Sequence, residues 1–393
     1  MKVVIAHNRY VSGRPSGENA VVAAEMDDLA AAGVTVVPFL RSSDEIPTLP
    51  IRERAALPVS PVYARRAQRE LAALLQRERP DVVHLHNPYP LLSPWVVRTA
   101  QRNGVPVVHT LHNYRQTCVN GLHLRDGAAC HDCVGSAAPW PAVRHGCYRG
   151  SRAQSMAMGA ALATHRGTWQ RLDRVIALTP AMAEYARSLG IDPARVSVKP
   201  NTVPDPGRHR QAGEGFLFAG RLSTEKGVEV LLDAWQRHRD GERGTLRVAG
   251  DGPLAGVVRE HAARRADVEY LGPCSADEVA AAMRRSRVVV VPSTWAEVCP
   301  RVVIEAMANG RPVLGTNLGG VPWLIGADEP TPAGWVVDPT PAALADGLDR
   351  SPEVADDLGV AARTRYERQF APPIATATLI RIYEDVARTG PTL

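Results

Sequence analysis

Charged residues cluster around a predicted strand-to-helix junction in the C-terminal half of the chain. Residues 292–316 read PSTWAEVCPRVVIEAMANGRPVLGT, in which a buried strand ends at Pro292, a loop carries Glu297 and a helix begins near Pro300. Proline is favoured in the first helical turn, because its missing N–H would be unpaired there anyway. The helix is then expected to present its free amides, around Cys299–Val302, to an anion such as a diphosphate.

Two cations precede this junction, in the loop after the first predicted strand of the same half. The segment FAGRLSTEKGVEVLLDAW carries Arg221 and Lys226 there, so both side chains are expected at the sheet edge that the helix N-terminus reaches. Two cations and a helix dipole can neutralise a diphosphate leaving group without a metal ion. Glu305, eight residues after Glu297, is expected more than one turn into the helix, within reach of a neighbouring pair of hydroxyl groups.

The elements that must position these residues are short, Val-rich strands that alternate with amphipathic helices in two successive blocks. In the first block the predicted strands are Val3–Ala6, Thr35–Phe39, Asp81–Leu85, Pro106–Leu111, Arg174–Leu178 and Arg195–Lys199, with helices such as Glu18–Ala32 and Pro180–Leu189 between them. In the second block they are Gly215–Ala219, Thr245–Ala249, Val268–Leu271, Arg287–Val291, Pro312–Gly315 and Trp335–Val337. Such alternation is typical of parallel sheets that are covered by helices on both faces.

The predicted fold is therefore α/β, with two Rossmann-like, doubly wound domains that face one another across a cleft. The predicted boundaries are 1–204 for the N-terminal domain, 115–151 for a Cys-rich insert within it, 205–372 for the C-terminal domain and 373–393 for a closing segment. The Pro- and Gly-rich stretch 200–215 is interpreted as the linker, and a last helix, Pro373–Ala387, is expected to cross back to the N-terminal domain. Ligands bind at the carboxyl ends of the strands in such sheets.

Composition and charge narrow the class of protein. The chain has 393 residues, of which 45% are hydrophobic and 22% charged, so two globular domains are expected and disordered or collagen-like classes are excluded. The opening MKVVIAHNRY is interpreted as a strand rather than a signal peptide, and the longest later apolar stretch is about half a membrane span, which predicts a cytoplasmic protein. The net charge of +5 fits an Arg-rich composition, phosphorylated ligands or peripheral contact with the inner membrane face. Dispersed arginines without a recognised motif argue against nucleic-acid binding.

With these motifs the sequence resembles glycosyltransferase family 4, a family of retaining enzymes with the two-domain GT-B fold. The residues that carry the resemblance are GRLSTEKG at Gly220–Gly227, GDGP at Gly250–Pro253, Glu297 and Glu305 with seven residues between them, and GGVP at Gly319–Pro322. The resemblance covers essentially the whole chain. It implies an acceptor-side N-terminal domain and a C-terminal domain that binds a nucleotide-diphosphate sugar.

The resemblance also implies roles for single residues. Arg221 and Lys226 would bind the donor diphosphate, Glu305 the ribose hydroxyls and Glu297 the transferred sugar. The donor site would further take in Cys299, Pro300, Arg301 and Val302 at the start of the helix. Two departures matter: Trp323 stands where an acidic residue is common after the Gly-Gly-x-Pro turn, and Cys299 where an aromatic residue is frequent. They leave the role of that turn and the shape of the sugar pocket open.

The N-terminal half contributes a loop and a histidine to the implied site. The loop after the first strand approaches the donor phosphates in the family. Here residues 12–19 read SGRPSGEN, so Gly17 is the candidate for close backbone approach, although paired glycines are more usual. By resemblance, His112 at the end of its strand lies beside the transferred sugar and belongs with Arg221, Lys226 and Glu297 to the catalytic set.

Other polar residues lie at or inside neighbouring strands. His86 and Asn87 also end a predicted strand and, with Asn113, are candidates for the acceptor side. His84 and His109 lie within strands and are expected to pack in the core.

The implied reaction is retaining transfer of a sugar from a nucleotide-diphosphate sugar to a hydroxyl acceptor. No carboxylate stands out as a covalent nucleophile, so the departing phosphate is expected to accept the acceptor's proton on the same face, with no catalytic metal. The acceptor stays open among glycans such as polysaccharide repeat units, lipid-linked sugars and secondary metabolites. Two alternatives remain, namely a catalytically silent GT-B protein that binds a glycan or nucleotide, and a sugar-nucleotide epimerase on the same fold.

Four of the six cysteines crowd into the insert. They are Cys118, Cys130, Cys133 and Cys147, in which a CxxC pair is flanked by one cysteine on each side. This pattern suits a tetrahedral thiolate site for structural zinc, whereas stable disulfides are unusual in a cytosolic chain. Reduced thiols without a metal, a redox pair and an iron–sulfur cluster are the alternatives. Some relatives resemble this chain in carrying such an insert, which closes here with CYRGS at Cys147–Ser151.

Overall fold

Two compact units, each with its own sheet, make up the chain. The computed structural model describes residues 1–13, 16–208 and 213–391, and leaves the side chains of residues 351–354 aside. Unit 1 comprises Met1–Arg125, Cys130–Pro200 and Ala375–Leu393, and unit 2 comprises Asp126–Ala129 and Asn201–Ile374.

Unit 1 is built on a six-stranded, wholly parallel sheet. Its strands are β1 (Lys2–Arg9), β2 (Thr35–Ser42), β3 (Val82–Leu85), β4 (Val107–Leu111), β7 (Arg174–Ala177) and β8 (Val196–Val198). The two-residue strands β5 (Leu124–Arg125) and β6 (Ala128–Ala129) of the insert are not part of this sheet. The order in the sheet is β2-β1-β3-β4-β7-β8. The order in which strands are added to the sheet therefore reverses between β1 and β3. The carboxyl ends of the strands at such a reversal form a ligand crevice.

The helices of unit 1 cover both faces of this sheet, as the crossovers of a parallel sheet require. They are α1 (Gly17–Ala31), α2 (Ile51–Ala56), α3 (Arg65–Glu78), α4 (Trp95–Arg102), α5 (Trp140–Arg144), α6 (Arg152–Trp169) and α7 (Pro180–Ser188). Short 3-10 turns lie at Ser43–Thr48 and Pro193–Arg195.

Unit 2 repeats the plan with a second parallel sheet. Its strands are β9 (Phe216–Ala219), β10 (Leu246–Ala249), β11 (Val268–Gly272), β12 (Val288–Val291), β13 (Val313–Thr316) and β14 (Gly334–Val337), in the order β11-β10-β9-β12-β13-β14. Its helices are α8 (Val228–Trp235), α9 (Ala255–Arg264), α10 (Ala276–Arg285), α11 (Arg301–Ala308), α12 (Val321–Ile325), α13 (Pro341–Asp349) and α14 (Ser351–Arg365), with a 3-10 turn at Thr224–Lys226 and a π-helical turn at Tyr366–Phe370. The reversal in this sheet lies between β9 and β12.

The last helix, α15 (Pro372–Thr389), supplies apolar side chains to the core of unit 1. Leu379, Ile382, Tyr383 and Val386 pack in one cluster with Val3 and Ile5 of β1 and with Val22 and Leu29 of α1. The core of unit 1 is thus completed by residues from the far end of the sequence.

Hydroxyl caps start the helices where the sequence offers them. The side chains of Ser16, Ser151, Thr179, Ser275 and Thr340 each accept a hydrogen bond from an amide in the first turn of the following helix. Each cap satisfies a backbone donor that would otherwise lack a partner.

The expectation of two parallel-sheet α/β domains is confirmed, and each predicted strand coincides with an observed one. Two strands, β1 and β2, continue three residues beyond their predicted ends. β1 and β2 continue their ladder through Asn8↔Arg41 and Arg9↔Ser42. Backbone pairing does not need apolar side chains, so the polar ends of these strands carried no hydrophobic signal.

The division between the units falls after Pro200 instead of after residue 204. Asn201 donates from its side-chain amide to the carbonyl oxygen of Cys299 at 3.2 Å, and the Tyr366 hydroxyl donates to the carbonyl of Val203 at 2.9 Å. These bonds place residues 201–203 with unit 2. Residues 209–212 of the predicted linker lie outside the described residues.

Within the described ranges, none of the helices combines the length and the apolar character needed to cross a membrane. Peripheral contact with a membrane surface stays a prediction.

Candidate functional site

In unit 2 the charged residues gather where the sheet order reverses. β9 and β12 are neighbours in the sheet although about 70 residues separate them in the chain. The loop after β9 carries Arg221 and Lys226, and the loop after β12 carries Ser293 and Glu297. Because the strands are parallel, both loops leave the same edge of the sheet.

Lys226 and Glu297 form the central contact of this edge. The Lys226 ammonium donates to Oε1 of Glu297 at 2.6 Å, and the Ser293 hydroxyl donates to the same oxygen at 2.7 Å. Glu297 is only 4% exposed, whereas 30% of the Lys226 side chain is exposed. The carboxylate is therefore fixed, and the ammonium keeps donors that face outward. The Lys226 ammonium also lies 5.7 Å from the centre of the Trp295 ring.

Two glycines let the backbone segments of this edge approach closely. Gly227 has a φ of +70°, and a Cβ there would lie 1.8 Å from the carbonyl oxygen of Pro292. Gly319 has a φ of +60°, and a Cβ there would lie 2.3 Å from the carbonyl oxygen of Glu297. The amide of Gly320 donates to that same carbonyl at 2.6 Å. The Gly-Gly-x-Pro turn therefore holds the backbone of Glu297.

Trp323 follows this turn and has a packing role. Its ring meets the Phe370 ring edge-on with the centroids 6.2 Å apart, and its carbonyl accepts from the Arg365 guanidinium at 2.8 Å. The turn thus acts on Glu297 through its backbone, and the unusual side chain faces the body of unit 2.

The N-terminus of α11 lies in the loop region beside Glu297. Pro300 is the N-cap residue, with extended backbone, and no side chain caps the helix. This differs slightly from the expected position inside the first turn. The amide of Val303 donates to the Pro300 carbonyl at 3.1 Å, and the amides of Arg301 and Val302 have no acceptor within the helix. Cys299, just before the cap, is buried.

A second carboxylate lies in the second turn of α11. Oε1 of Glu305 is 3.1 Å from the Arg301 guanidinium, one helical turn earlier. Burial raises the pKa of Glu305, and the neighbouring Arg301 works against that rise.

Arg221 is exposed, and no ion pair to it occurs among the described residues. Two cations, a helix N-terminus and two carboxylates thus belong to the same edge of unit 2.

In unit 1, the predicted polar residues surround one small cavity of about 10 Å³ at the carboxyl ends of β3 and β4. Its lining includes His86, Asn87, His112 and Asn113, the four residues singled out at these strand ends. His86 Nδ1 lies 2.9 Å from His112 Nε2. Burial, with His86 and other histidines nearby, places the pKa of His112 well below its ordinary value. His112 is therefore a neutral imidazole at physiological pH.

The two asparagines of this group are already engaged with backbone atoms. Asn87 donates to the carbonyl of Asn8 at 2.9 Å and accepts from the amide of Tyr89 at 3.0 Å. Asn113 accepts from the amide of Arg115 at 3.1 Å. Both side chains shape the loops around the cavity.

His84 and His109 lie in the core. His84 contacts Tyr383 and Thr110 at 2.6 and 2.8 Å, and Nδ1 of His109 donates to the carbonyl of Leu85 at 2.8 Å. His109 also reaches the wall of the cavity.

Gly17 is the first residue of α1 and is exposed. Arg14 and Pro15 of its loop lie outside the described residues.

Sequence reasoning missed four charged residues around His112. Glu18 and Arg115 line the same cavity, and Glu25 and Lys199 form a buried ion pair at 2.7 Å. Burial raises the pKa of Glu18, whose Oε2 accepts from the Tyr10 hydroxyl at 3.1 Å. Glu18 directly follows Gly17, which was a usable signal. The pairing of Glu25 with Lys199 had none, because the two are 174 residues apart.

The four insert cysteines line one cavity of about 20 Å³, together with His123 and His131. Burial and the three neighbouring thiols raise the pKa of Cys133. In the part of the chain that the structure describes, only Glu25, His84 and His86 bring three potential metal-ligand atoms within 4.8 Å of one another. The cysteine sulfurs share a cavity without reaching that spacing.

Two family profiles match the chain. The glycosyl transferase 4-like domain matches residues 16–202, and the profile described as glycosyl transferases group 1 matches residues 213–351. A phosphatidyl-myo-inositol mannosyltransferase of Mycobacterium leprae is 27% identical over 324 residues, which cover 79% of this chain and 75% of that protein. An uncharacterized glycosyltransferase of Methanocaldococcus jannaschii is 31% identical over 138 residues, so 34% of this chain spans only 35% of that relative's length.

Solved structures resemble the whole chain in fold. Sucrose-phosphate synthase from Thermosynechococcus elongatus superposes with a TM-score of 0.74 at 19% identity, covering 99% of each chain. HepE of Anabaena, solved in complex with UDP, superposes with a TM-score of 0.67 at 16% identity, covering 98% of this chain and 100% of that one. At these identities the likeness concerns the fold, which is GT-B.

Proposed function

The chain belongs to glycosyltransferase family 4, and from that premise we propose that it transfers a sugar from a nucleotide-diphosphate sugar to a hydroxyl acceptor. The observation that carries the proposal is the contact between Lys226 and the buried Glu297 at the edge where Arg221 and the uncapped N-terminus of α11 also lie. Cations and helix amides bind phosphate oxygens, and a fixed carboxylate accepts from sugar hydroxyls. This set fits a donor that carries both groups.

The donor diphosphate is proposed to bind Arg221, Lys226 and the amides of Arg301 and Val302. Negative charge that develops on a leaving diphosphate is stabilised by preorganised cations and dipoles, so no catalytic metal is needed. Glu305 is proposed to bind the ribose hydroxyls, with Arg301 holding the carboxylate in place. HepE of the same fold carries UDP, which supports a nucleotide donor.

Transfer is proposed to retain the configuration of the sugar. Oε1 of Glu297 already accepts from Lys226 and Ser293, which supports a role in binding sugar hydroxyls instead of covalent attack. The leaving phosphate then takes the proton of the acceptor hydroxyl on the same face of the sugar. NMR assignment of the product anomer tests this proposal, and an inverted product would contradict it.

Donor identity and turnover are tested together. A panel of UDP-, GDP-, ADP- and dTDP-sugars is screened by thermal shift, since a ligand at 100 times its Kd stabilises the folded state by about 2.7 kcal/mol. The stabilising donor is then incubated with the protein alone. Slow hydrolysis supports the transferase, conversion to an epimeric nucleotide sugar supports the epimerase, and binding without turnover under all acceptors supports the silent protein.

The insert is proposed to hold structural zinc through Cys118, Cys130, Cys133 and Cys147. A cavity of about 20 Å³ has room for one small species, and thiolates are preferred zinc ligands. In tetrahedral coordination the sulfurs lie about 3.8 Å apart, so the loops contract when the ion binds.

Elemental analysis of reduced, purified protein tests the zinc proposal. Zinc near one equivalent that is lost in Cys133→Ser and kept in Cys274→Ser supports it, because Cys274 lies outside the insert. Visible absorption with bound iron would instead indicate an iron–sulfur cluster, and protein without any metal would reject both.

A further inference from the structure

A line of buried polar contacts runs through unit 1 and ends at His112. Lys199 donates to Oε2 of Glu25 at 2.7 Å, and Oε1 of Glu25 lies 3.3 Å from Nε2 of His86. Nδ1 of His86 in turn lies 2.9 Å from Nε2 of His112. Lys199, Glu25 and His86 are 4%, 7% and 2% exposed. Only His112, at the end of the line and in the wall of the cavity, is partly exposed.

Glu25 is ionised in this arrangement. Burial alone would raise the pKa of its carboxyl, but the ammonium of Lys199 and the rings of His86 and His84 outweigh burial and bring the pKa well below its ordinary value. One carboxylate oxygen is taken by Lys199. The other can only accept a hydrogen bond, and it faces His86.

The proton on His86 therefore has a favoured position. Oε1 of Glu25 and Nε2 of His86 are both buried, and neither has a better-aligned partner among the described residues. A proton on Nε2 of His86 provides a partner for both atoms, whereas a proton on Nδ1 would set two lone pairs against each other away from water. With its proton on Nε2, His86 offers Nδ1 as an acceptor, and His112 must donate to it from Nε2.

We infer that Glu25 and Lys199 are positioning residues that hold His112 in its Nε2–H tautomer. Nδ1 of His112 then carries a lone pair and accepts a hydrogen bond from a substrate hydroxyl. The inference rests on the proposed function for the identity of that hydroxyl as one of a sugar or its acceptor. A carboxylate that orients a histidine through the opposite ring nitrogen is a general means of fixing a tautomer, and here His86 extends it by one ring.

Other groups around Glu25 do not offer a competing path to His112. His84 also lies 3.3 Å from Oε1 of Glu25, but its ring is held between Tyr383 and Thr110. Glu25, His84 and His86 are close enough together to share a metal ion. The ammonium of Lys199 already neutralises Glu25. A metal ion at this place would be repelled by that ammonium, with no further negative charge in the group to offset the repulsion.

The tautomer of His112 is measured directly by long-range 1H–15N NMR on protein labelled at histidine, with His112→Gln used to assign the signals. The wild type is expected to show a single Nε2–H tautomer at neutral pH. In Glu25→Gln the amide can donate to His86 as well as accept from it, so His112 is expected to lose that single tautomer. Glu78→Gln is the matched control, since it makes the same exchange in a partly exposed pair with Lys2 and should leave His112 unchanged.

Two results would overturn the inference. One is an Nδ1–H tautomer of His112 in the wild type, and the other is an unchanged His112 in a folded Glu25→Gln protein. If Glu25→Gln does not fold because Lys199 is left unpaired, the double variant Glu25→Gln/Lys199→Met removes both charges and is measured instead. The experiment uses the resting protein, so failure to find any donor would reject the proposed function and leave this measurement valid.

Discussion

Lysine is rare in this chain, and two of its lysines contact buried carboxylates. Of the three lysines, Lys2 forms a surface pair, whereas Lys199 and Lys226 each contact a buried glutamate, at 2.7 and 2.6 Å. An ammonium group is a compact charge with three donors, so it can be shared between a carboxylate and a second oxygen. For Lys226 in unit 2 we propose that the second oxygen belongs to a phosphate group of the donor. In unit 1 the ammonium of Lys199 keeps the carboxylate of Glu25 ionised.

The first prediction concerns Lys226→Gln. The amide keeps a hydrogen bond to Glu297 but removes the charge that would stabilise the leaving diphosphate, so kcat/KM with the identified donor should fall by about 10²-fold or more. Lys2→Gln is the matched control, because it removes the same charge from a surface pair. Steady-state kinetics on both variants decide the matter. A Lys226→Gln enzyme whose kcat/KM falls less than about tenfold, which is under about 1.4 kcal/mol of the barrier, would contradict the assignment.

At the residue scale, the sequence predicted best what lies close together in the chain. Arg221 and Lys226 share one loop, and Glu297 and Glu305 share one junction, so their chemistry could be recognised locally. The contact of Ser293 with Glu297 is equally local and was missed because a serine before a loop is commonplace. The line from Lys199 to His112 was not predictable, because the tertiary fold brings four separate segments together to form it.

Elements were predictable where burial dictates the residue type. The central strands are continuous Val-rich runs that are buried on both faces, such as Val288–Val291, and these have few alternative structures. Helix ends depend on single hydrogen bonds, so Pro300 proved to be a cap residue instead of the first helical one. The close approaches of backbone segments at Gly227 and Gly319 depend on the tertiary fold, so the presence of a glycine in the sequence does not predict them.

The second prediction tests such an approach with paired variants. Gly227→Ala and Gly241→Ala share a left-handed φ, +70° and +75°, but only the first would push a Cβ against backbone, 1.8 Å from the Pro292 carbonyl. Gly241→Ala should lower the free energy of unfolding by about 1–2 kcal/mol, the cost of the conformation. Gly227→Ala should cost clearly more and also reduce donor binding, since it displaces the loop of Lys226. Equal losses in urea unfolding would refute the close approach.

At the scale of the whole molecule, unit 1 carries an unusual number of buried histidines. Burial lowers the pKa of His7 to about 3 and those of His109 and His165 to about 4. Below pH 6.5 these histidines bind protons in the unfolded chain but stay neutral in the folded chain. The free energy of unfolding therefore decreases as the pH falls toward 4. The loss from neutral pH to pH 5 is about 2 kcal/mol for each such histidine.

The third prediction follows from that sign. His165 lies fully buried, with Nε2 2.8 Å from the carbonyl of Val62, so its ring donates there as a neutral imidazole. In His165→Gln the amide can donate to the same carbonyl but does not titrate, and the loss of unfolding free energy between pH 7.5 and pH 5 should shrink by about 2 kcal/mol. Urea unfolding at the two pH values measures it, and identical losses in both proteins would count against a neutral buried His165.

The last prediction concerns the order of the units along the chain. α15 follows unit 2 in sequence, yet Leu379 packs with Val3 and Ile5 in the core of unit 1. Leu379→Ala should therefore destabilise by about 2–5 kcal/mol and raise hydrogen exchange in peptides that contain β1 and α1. Leu344→Ala, an equally buried change in the core of unit 2, should act on β9 and α8 instead. Mass spectrometry after hydrogen exchange distinguishes the two. If Leu379→Ala loosened β9 and left β1 protected, the assignment of α15 to the core of unit 1 would be wrong.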